Sequence, residues 1–192
     1  MLYKGQLMAD QLDQFYLDLS DPQMVSAIAM VHSRYSTNTF PTWALAHPFR
    51  MLSPNGEIHT LRGNLNWLRA RERQLISKAF GEEDTKKILP IVVPHGSDSA
   101  TFDNVFELMV LAGRSLPHAI MMMIPEAWEG DEYMPQEKKD FYEYNACLME
   151  PWDGPAGFIL TDGRYAACTV DRNGLRPARW VMTRDRHITL AS

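Results

Sequence analysis

Cysteine is scarce. The chain of 192 residues holds two, Cys147 and Cys168, with no CxxC spacing. That argues against a disulfide scaffold and a thiolate zinc site, and it fits a reducing compartment. No apolar run reaches the roughly 18 residues that a membrane span requires, and Met1 to Asp10 lack the charged-then-apolar order of a signal peptide. The expected location is cytoplasmic. Positive charge is also short: the formal net charge is -5 and no lysine or arginine stripe stands out, so neither nucleic acid nor an anionic membrane is an expected partner. The histidines, His32, His47, His59, His95, His118 and His187, never fall in a close pair of the HExxH kind, and no metal site is expected from them. There is no internal repeat, low-complexity stretch or interdomain linker.

What remains is the composition of a globular chain. Hydrophobic residues make up 45%, enough for the core of one domain or a large piece of one. Val25 to Tyr35 opens on a short, partly β-branched apolar run and reads as the first strand. Asn38 to Pro48 reads as an ordered loop. Phe49 to Leu52 and Glu57 to Leu61 read as two strands about a Ser53-Pro54-Asn55-Gly56 turn. Leu65, Leu68, Leu75, Ile76 and Ala79 recur at helical spacing, which predicts an amphipathic helix from Leu65 to Phe80, stopped by Gly81. Glu82 to Lys87 is a charged run, read as a solvated face or loop. Ser97 to Ser99 offer N-cap chemistry for a helix carrying Phe102, Phe106, Met109 and Ala112. Met121-Met122-Met123 reads as buried helix, and a further helix is expected over Gln136 to Met149 after Pro135. Ala156 to Thr161, Tyr165 to Val170, Arg179 to Met182 and Ile188 to Ala191 read as strands, the first two joined by an Asp162-Gly163 hairpin. Strands, helices and strands again predict an α+β fold with antiparallel sheets. Cys147 and Cys168 fall within these elements and read as core residues rather than nucleophiles.

Four clusters offer chemistry, each with a plainer alternative. In His32-Ser33-Arg34-Tyr35-Ser36-Thr37-Asn38, an arginine at the end of an apolar run can grip a carboxylate with two parallel hydrogen bonds, or merely cap a loop. In Asn55-Gly56-Glu57, a glycine N–H and an asparagine amide can face a developing oxyanion, or form an ordinary turn. In His95-Gly96-Ser97-Asp98-Ser99, the aspartate can bind an ammonium group or cap the helix that follows. Asp171-Arg172-Asn173-Gly174-Leu175-Arg176-Pro177 is a polar turn that can order a loop through a local ion pair or face a site.

Together these clusters resemble a known family. Arg34 through Pro41, Asn55-Gly56-Glu57-Ile58, Arg62-Gly63-Asn64, Gly96-Ser97-Asp98-Ser99 and Asp103-Asn104 run in the order found in class II glutamine amidotransferases. Within that class they look like the glutaminase domain of glutamate synthase large subunits, as do Met149 through Pro155 and Asp171 through Pro177. The resemblance covers nearly the whole chain. It implies the N-terminal-nucleophile hydrolase fold, a four-layer αββα sandwich of two antiparallel sheets between helical layers. It implies hydrolysis of glutamine by an N-terminal cysteine thiolate, through a tetrahedral intermediate held in an oxyanion hole. By the same resemblance Arg34 would bind the glutamine α-carboxylate, Thr37 and Asn38 would shape that pocket, Asn55 and Gly56 would be the oxyanion donors, and Asp98 would bind the α-ammonium. In the parent enzyme the released ammonia would meet 2-oxoglutarate at a second site that uses FMN and an iron-sulfur cluster; no cofactor is expected in this domain.

The chain departs from the family pattern in ways that shape the expectation. Family members begin at the cysteine, whereas this chain opens Met1-Leu2-Tyr3-Lys4-Gly5 and has no cysteine before Cys147. The resemblance therefore implies an incomplete domain over residues 1–192, lacking the nucleophile and first strands and inactive alone. Its expected partners are L-glutamine and either the remainder of a glutamate synthase polypeptide or a complementing N-terminal segment, with self-association through uncovered sheet edges. The alternatives are a noncatalytic glutamine- or glutamate-binding module and a structural piece of a split enzyme. Ser53-Pro54 precedes Asn55 where a histidine is expected, His59 stands in place of an asparagine, and Asn145 in place of a histidine near Cys147.

Overall fold

A computed structural model of the chain describes residues 1–36, 39–76 and 81–192. Its helical core begins at α4 (Asp98–Leu111), where the Ser97 hydroxyl accepts a hydrogen bond from the Ala100 N–H at 3.2 Å and so satisfies one of the unpaired donors of the first turn. Phe102, Val105, Phe106 and Met109 follow at helical spacing and are buried. Ser115 caps α5 (Leu116–Met123) in the same way, with Pro117 in the first turn where no intrahelical donor is needed. Pro135 precedes α6 (Gln136–Ala146). Phe102 is the hub of the core: its ring stacks on Phe158 at 5.0 Å and meets Trp152 edge-on at 5.5 Å. Two further helices, α2 (Leu61–Glu72) and the shorter α3 (Glu82–Lys87), lie toward the surface, and a short N-terminal turn forms α1 (Leu12–Phe15).

A three-stranded antiparallel sheet packs on this core, with β2 (Ala156–Thr161) between β1 (Leu52–Gly56) and β3 (Ala166–Val170). Phe158 and Leu160 alternate onto the buried face of β2, as the two-residue period of a strand requires. A second antiparallel sheet pairs β4 (Arg179–Met182) with β5 (Ile188–Ala191), and β5 lies against β3. Helices segregated from antiparallel sheets make the chain α+β. Among the described residues, no helix is long and apolar enough to cross a membrane.

The expected late strands form within a residue of their predicted bounds. Three expectations near the N-terminal half do not hold. Val25 to Tyr35 is not a strand: the backbone finds no ladder partner there, Ser26 bonds locally to Ile28, and Val25 and Val31 are exposed. The Ser53-Pro54-Asn55-Gly56 turn is instead the body of β1, paired with β2 from Leu52↔Leu160 to Gly56↔Ala156, so the two strands expected around it are absent. Proline is tolerated because β1 is an edge strand and its Pro54 carbonyl faces away from β2, accepting a hydrogen bond from the His32 ring. The missing N–H is then on the open side, where Val31 and His32 touch β1 only through side-chain bonds. The helix expected over Leu65 to Phe80 begins earlier and ends at Glu72; Ala79 and Phe80 lie outside the described residues. The last helix stops at Ala146 rather than Met149, leaving Cys147 exposed at its end and not in the core, while Cys168 is half-buried on β3.

Candidate functional site

The end of β1, the start of α4 and residues Val31 to Ser36 with Thr39 border a cavity of about 710 Å³. Arg34, Asn55, Gly56 and Asp98 all line it. Thr37 and Asn38 lie outside the described residues.

Each wall has its own support. Gly56 ends β1 where the chain crosses closely behind it: a Cβ there would collide with the Pro155 carbonyl oxygen, and one on Gly154 would collide with the Glu57 carbonyl oxygen. Only two glycines permit this backbone-to-backbone approach. The crossing is held by the Glu57 N–H donating to Pro155 O at 3.1 Å and the His59 N–H to Asp153 O at 2.7 Å. Behind it, buried Asn64 accepts from the Thr60 hydroxyl at 2.7 Å and donates to Pro151 O at 3.1 Å, and the Asp153 N–H donates to Thr60 Oγ1 at 2.9 Å. Glu150, which also accepts from Asn64, is ion-paired with Arg71. The motifs at Arg62-Gly63-Asn64 and Met149 to Pro155 thus brace the Asn55–Gly56 corner from outside the cavity.

Asp98 occupies the first position of α4 but is not its cap; Ser97 has that role. The Asp98 carboxylate accepts from the Ile58 N–H at 2.8 Å and the Ser99 N–H at 2.8 Å. It joins the chain leaving β1 to the helix start while lining the cavity. Farther along α4, buried Asp103 accepts from the N–H groups of Met51 (3.0 Å) and Arg50 (3.3 Å), tying the approach to β1 to the same helix. Burial pushes the Asp103 carboxyl up to about 6 despite those donors.

Arg34 belongs to the opposite wall. Its guanidinium donates to Leu45 O at 2.7 Å and Thr39 Oγ1 at 2.6 Å, which fixes the group while leaving donors of its fork for a ligand. Ser36 closes the same loop by donating to the Thr39 carbonyl oxygen. A cation and a carboxylate on different walls of one cavity, with an amide and a glycine N–H at the end of an edge strand, form a complement to a zwitterionic amino acid.

The other sequence candidates fall elsewhere. Asp171 is a buried loop organiser: its carboxylate accepts from the N–H groups of Ala156, Asn173, Leu175 and Arg176. Burial acts to raise its pKa, but these donors outweigh it and hold the group below the ordinary carboxylate range. Arg172 makes a 3.7 Å ion pair with Asp153. Neither Cys147 nor Cys168 lines the cavity, and burial pushes the Cys168 thiol up, away from thiolate character. Asn145 is buried and bonded to His118 at 3.2 Å. His59, by contrast, does line the cavity, where it is exposed and sits 3.6 Å from Glu57. Among the described residues, no cluster of three or more histidine, cysteine, aspartate or glutamate side chains is arranged for a metal ion.

Sequence reasoning placed His32 in its first cluster but missed that it meets His47 at the cavity. The His32 and His47 rings lie 4.3 Å apart, edge to face, with ring nitrogens at 3.3 Å. Burial lowers both, His47 to about 3, with the neighbouring His32, Arg34 and Lys4 adding to the effect on His47. Their separation of 15 residues matches no metal or catalytic spacing, so no signal was present for the pairing.

Comparison with known proteins extends these observations along the chain. The family model described as class II glutamine amidotransferases matches residues 1–192. The chain is 56% identical over 192 residues to the glutamate synthase [NADPH] large chain of Bacillus subtilis, covering 100% of this chain and 13% of that protein. It is 53% identical over 193 residues to the glutamate synthase [NADH] of Schizosaccharomyces pombe, covering 100% and 9%. It is 48% identical over 185 residues to the glutamate synthase [NADPH] large chain of Azospirillum brasilense, covering 96% and 12%. The chain thus spans about a tenth of the length of these curated relatives. A match without gaps in coverage, together with motifs that converge on one cavity, places the chain in the class II glutamine amidotransferase family.

Proposed function

We propose that this chain holds L-glutamine, as the substrate-gripping part of a glutaminase domain of glutamate synthase. The observation that carries the reading is the convergence of Arg34, Asn55, Gly56 and Asp98 on one cavity. Arg34 takes the α-carboxylate and Asp98 the α-ammonium, so the side chain projects toward β1. There the Asn55 amide and the Gly56 N–H meet the carboxamide oxygen and later the charge that develops on it. Thr37 and Asn38 complete the carboxylate pocket. Because neither cysteine lines the cavity, the attacking thiolate comes from outside these residues, and the chain alone binds without turnover. Completed by such a segment, the two antiparallel sheets become the inner layers of a four-layer sandwich. The exposed Trp180, Val181, Met182 and Ile188 on β4 and β5 are surfaces through which the isolated chain self-associates.

In the parent enzyme, released ammonia goes to glutamate synthesis from 2-oxoglutarate in the cytoplasm. The chain's two cysteines, one exposed after α6 and one on β3, do not fit the thiolate set of an iron-sulfur cluster. That cluster and FMN belong to the remainder of the polypeptide, and no step here passes through them.

Calorimetry with the purified chain tests the reading. L-Glutamine binds, Arg34→Ala weakens it at least about ten-fold, the worth of a charge-assisted bond, and no ammonia appears. Equal affinity of wild type and Arg34→Ala overturns the site assignment. Turnover by the chain alone, abolished in Arg34→Ala, overturns the external thiolate. Equal affinity for glutamine and glutamate favours a noncatalytic binding module, and activity regained on mixing with an N-terminal segment favours a split enzyme.

A further inference from the structure

We infer that Ser192 is a positioning residue for Asn55, fixing the side-chain amide that faces the glutamine carboxamide; this rests on the function proposed above. The Asn55 Nδ2 donates to Ser192 Oγ at 2.9 Å, across 137 residues of sequence. Asn55 is exposed near the end of an edge strand, and among the described residues its side chain has no other hydrogen-bond partner. Without Ser192 the amide is free to rotate into solvent. An oxyanion donor stabilises developing charge only when it is held in place beforehand, because ordering it during the reaction cancels the gain.

The two sheets are arranged to seat this serine. Asn55 lies opposite Gly157 in the β1–β2 register. A Cβ on Gly157 would stand 3.4 Å from the Ser192 Cβ and 3.7 Å from the Pro177 carbonyl oxygen, so the end of the β4–β5 sheet lies within van der Waals reach of the residue opposite Asn55. The pairing of Ala191 with Arg179 and of Leu190 with Trp180 carries β5 to that point, and Leu190, Ala191 and Ser192 all line the cavity. One N–H of the Asn55 amide is engaged by Ser192, and the second remains for the ligand.

The test compares L-glutamine with L-norvaline, which has the same backbone and no carboxamide, in the wild-type chain, Ser192→Ala and Ser192→Thr. Calorimetry should show glutamine about five-fold weaker in Ser192→Ala, the scale of one ordinary hydrogen bond, with norvaline unchanged and Ser192→Thr restored. In nitrogen–proton correlation spectra, the Asn55 side-chain amide signals, assigned by their loss in Asn55→Asp, should move in Ser192→Ala and return in Ser192→Thr. An unchanged glutamine-to-norvaline ratio in Ser192→Ala overturns the inference. If the wild type binds no glutamine, the proposed function fails separately, and unmoved Asn55 signals in Ser192→Ala then overturn the positioning role by themselves.

Discussion

The cavity is built from two unlike regions. One wall, carrying Asn55, Gly56 and Asp98, rises from β1 and α4, which share a core with Phe102, Phe106, Phe158 and Leu160. The other, carrying Arg34, belongs to a stretch in which none of the described residues from 1 to 45 is buried. The first wall is positioned by close packing, where every methylene counts. The second is positioned by a few hydrogen bonds from Arg34, Ser36 and His32 to backbone and hydroxyl oxygens. The proposed oxyanion donors therefore sit on the packed side, and the proposed carboxylate-binding Arg34 on a side with few buried apolar contacts, which is expected to open at lower free-energy cost.

Substitutions can sharpen this contrast. The largest effect is expected in the packed region: Phe102→Ala removes a ring that is 0% exposed and should cost about 3–5 kcal/mol in urea unfolding. A cost near zero would show that the core does not hold the first wall.

A smaller effect comes from pH, at the seam of the two regions. His47 is held neutral down to about 3, whereas the unfolded chain takes up that proton below about 6.5. Its contribution is full above the unfolded value and falls as the solution is acidified; His32, also lowered, acts in the same direction. Asp103 acts oppositely. Protonated in the fold below about 6, it remains ionised when unfolded until about 4, so stability from this group rises as pH drops through that window. His47→Gln should therefore gain stability from pH 7 to pH 5, and Asp103→Asn should lose it, each by about 1 kcal/mol once solvent access to the pair is allowed for. Urea midpoints at the two pH values decide the signs; parallel curves for both variants would remove the coupling. The smallest effect is expected on the open side: Val31→Ala, at a residue 80% exposed, should change stability by less than about 0.5 kcal/mol.

Much of the packed region was legible in sequence because its cues are local. Ser97 and Ser115 cap helices by contacts within three residues, and β2 and β3 are joined through a turn that carries its own Asp-Gly signal. The unpacked region misled for a physical reason. Val25 to Val31 has strand-like residues, but a strand needs a neighbour, and the edge of β1 offers Pro54 with no N–H. Asn55-Gly56 carried a turn signal yet lies in a strand because its partner Gly157 is a hundred residues away and beyond any local rule. The family motifs identified Arg34, Asn55, Gly56 and Asp98, and all four converge. They could not distinguish a group lining the cavity from one bracing it, such as Asn64, or reveal the meeting of His32 with His47.

The crossing of Gly56 and Gly154 has a consequence for how this chain can change. Gly63 and Gly81 have open space where a Cβ would go, but at positions 56 and 154 an added methyl runs into a backbone carbonyl of the crossing segment, that of Pro155 or of Glu57. In a randomised library the first two should diversify freely while the latter pair stays monomorphic, whatever the selection on catalysis. The cavity rim at Gly56 is in that sense pinned by steric exclusion, an anchor about which the remaining contour can be remodelled.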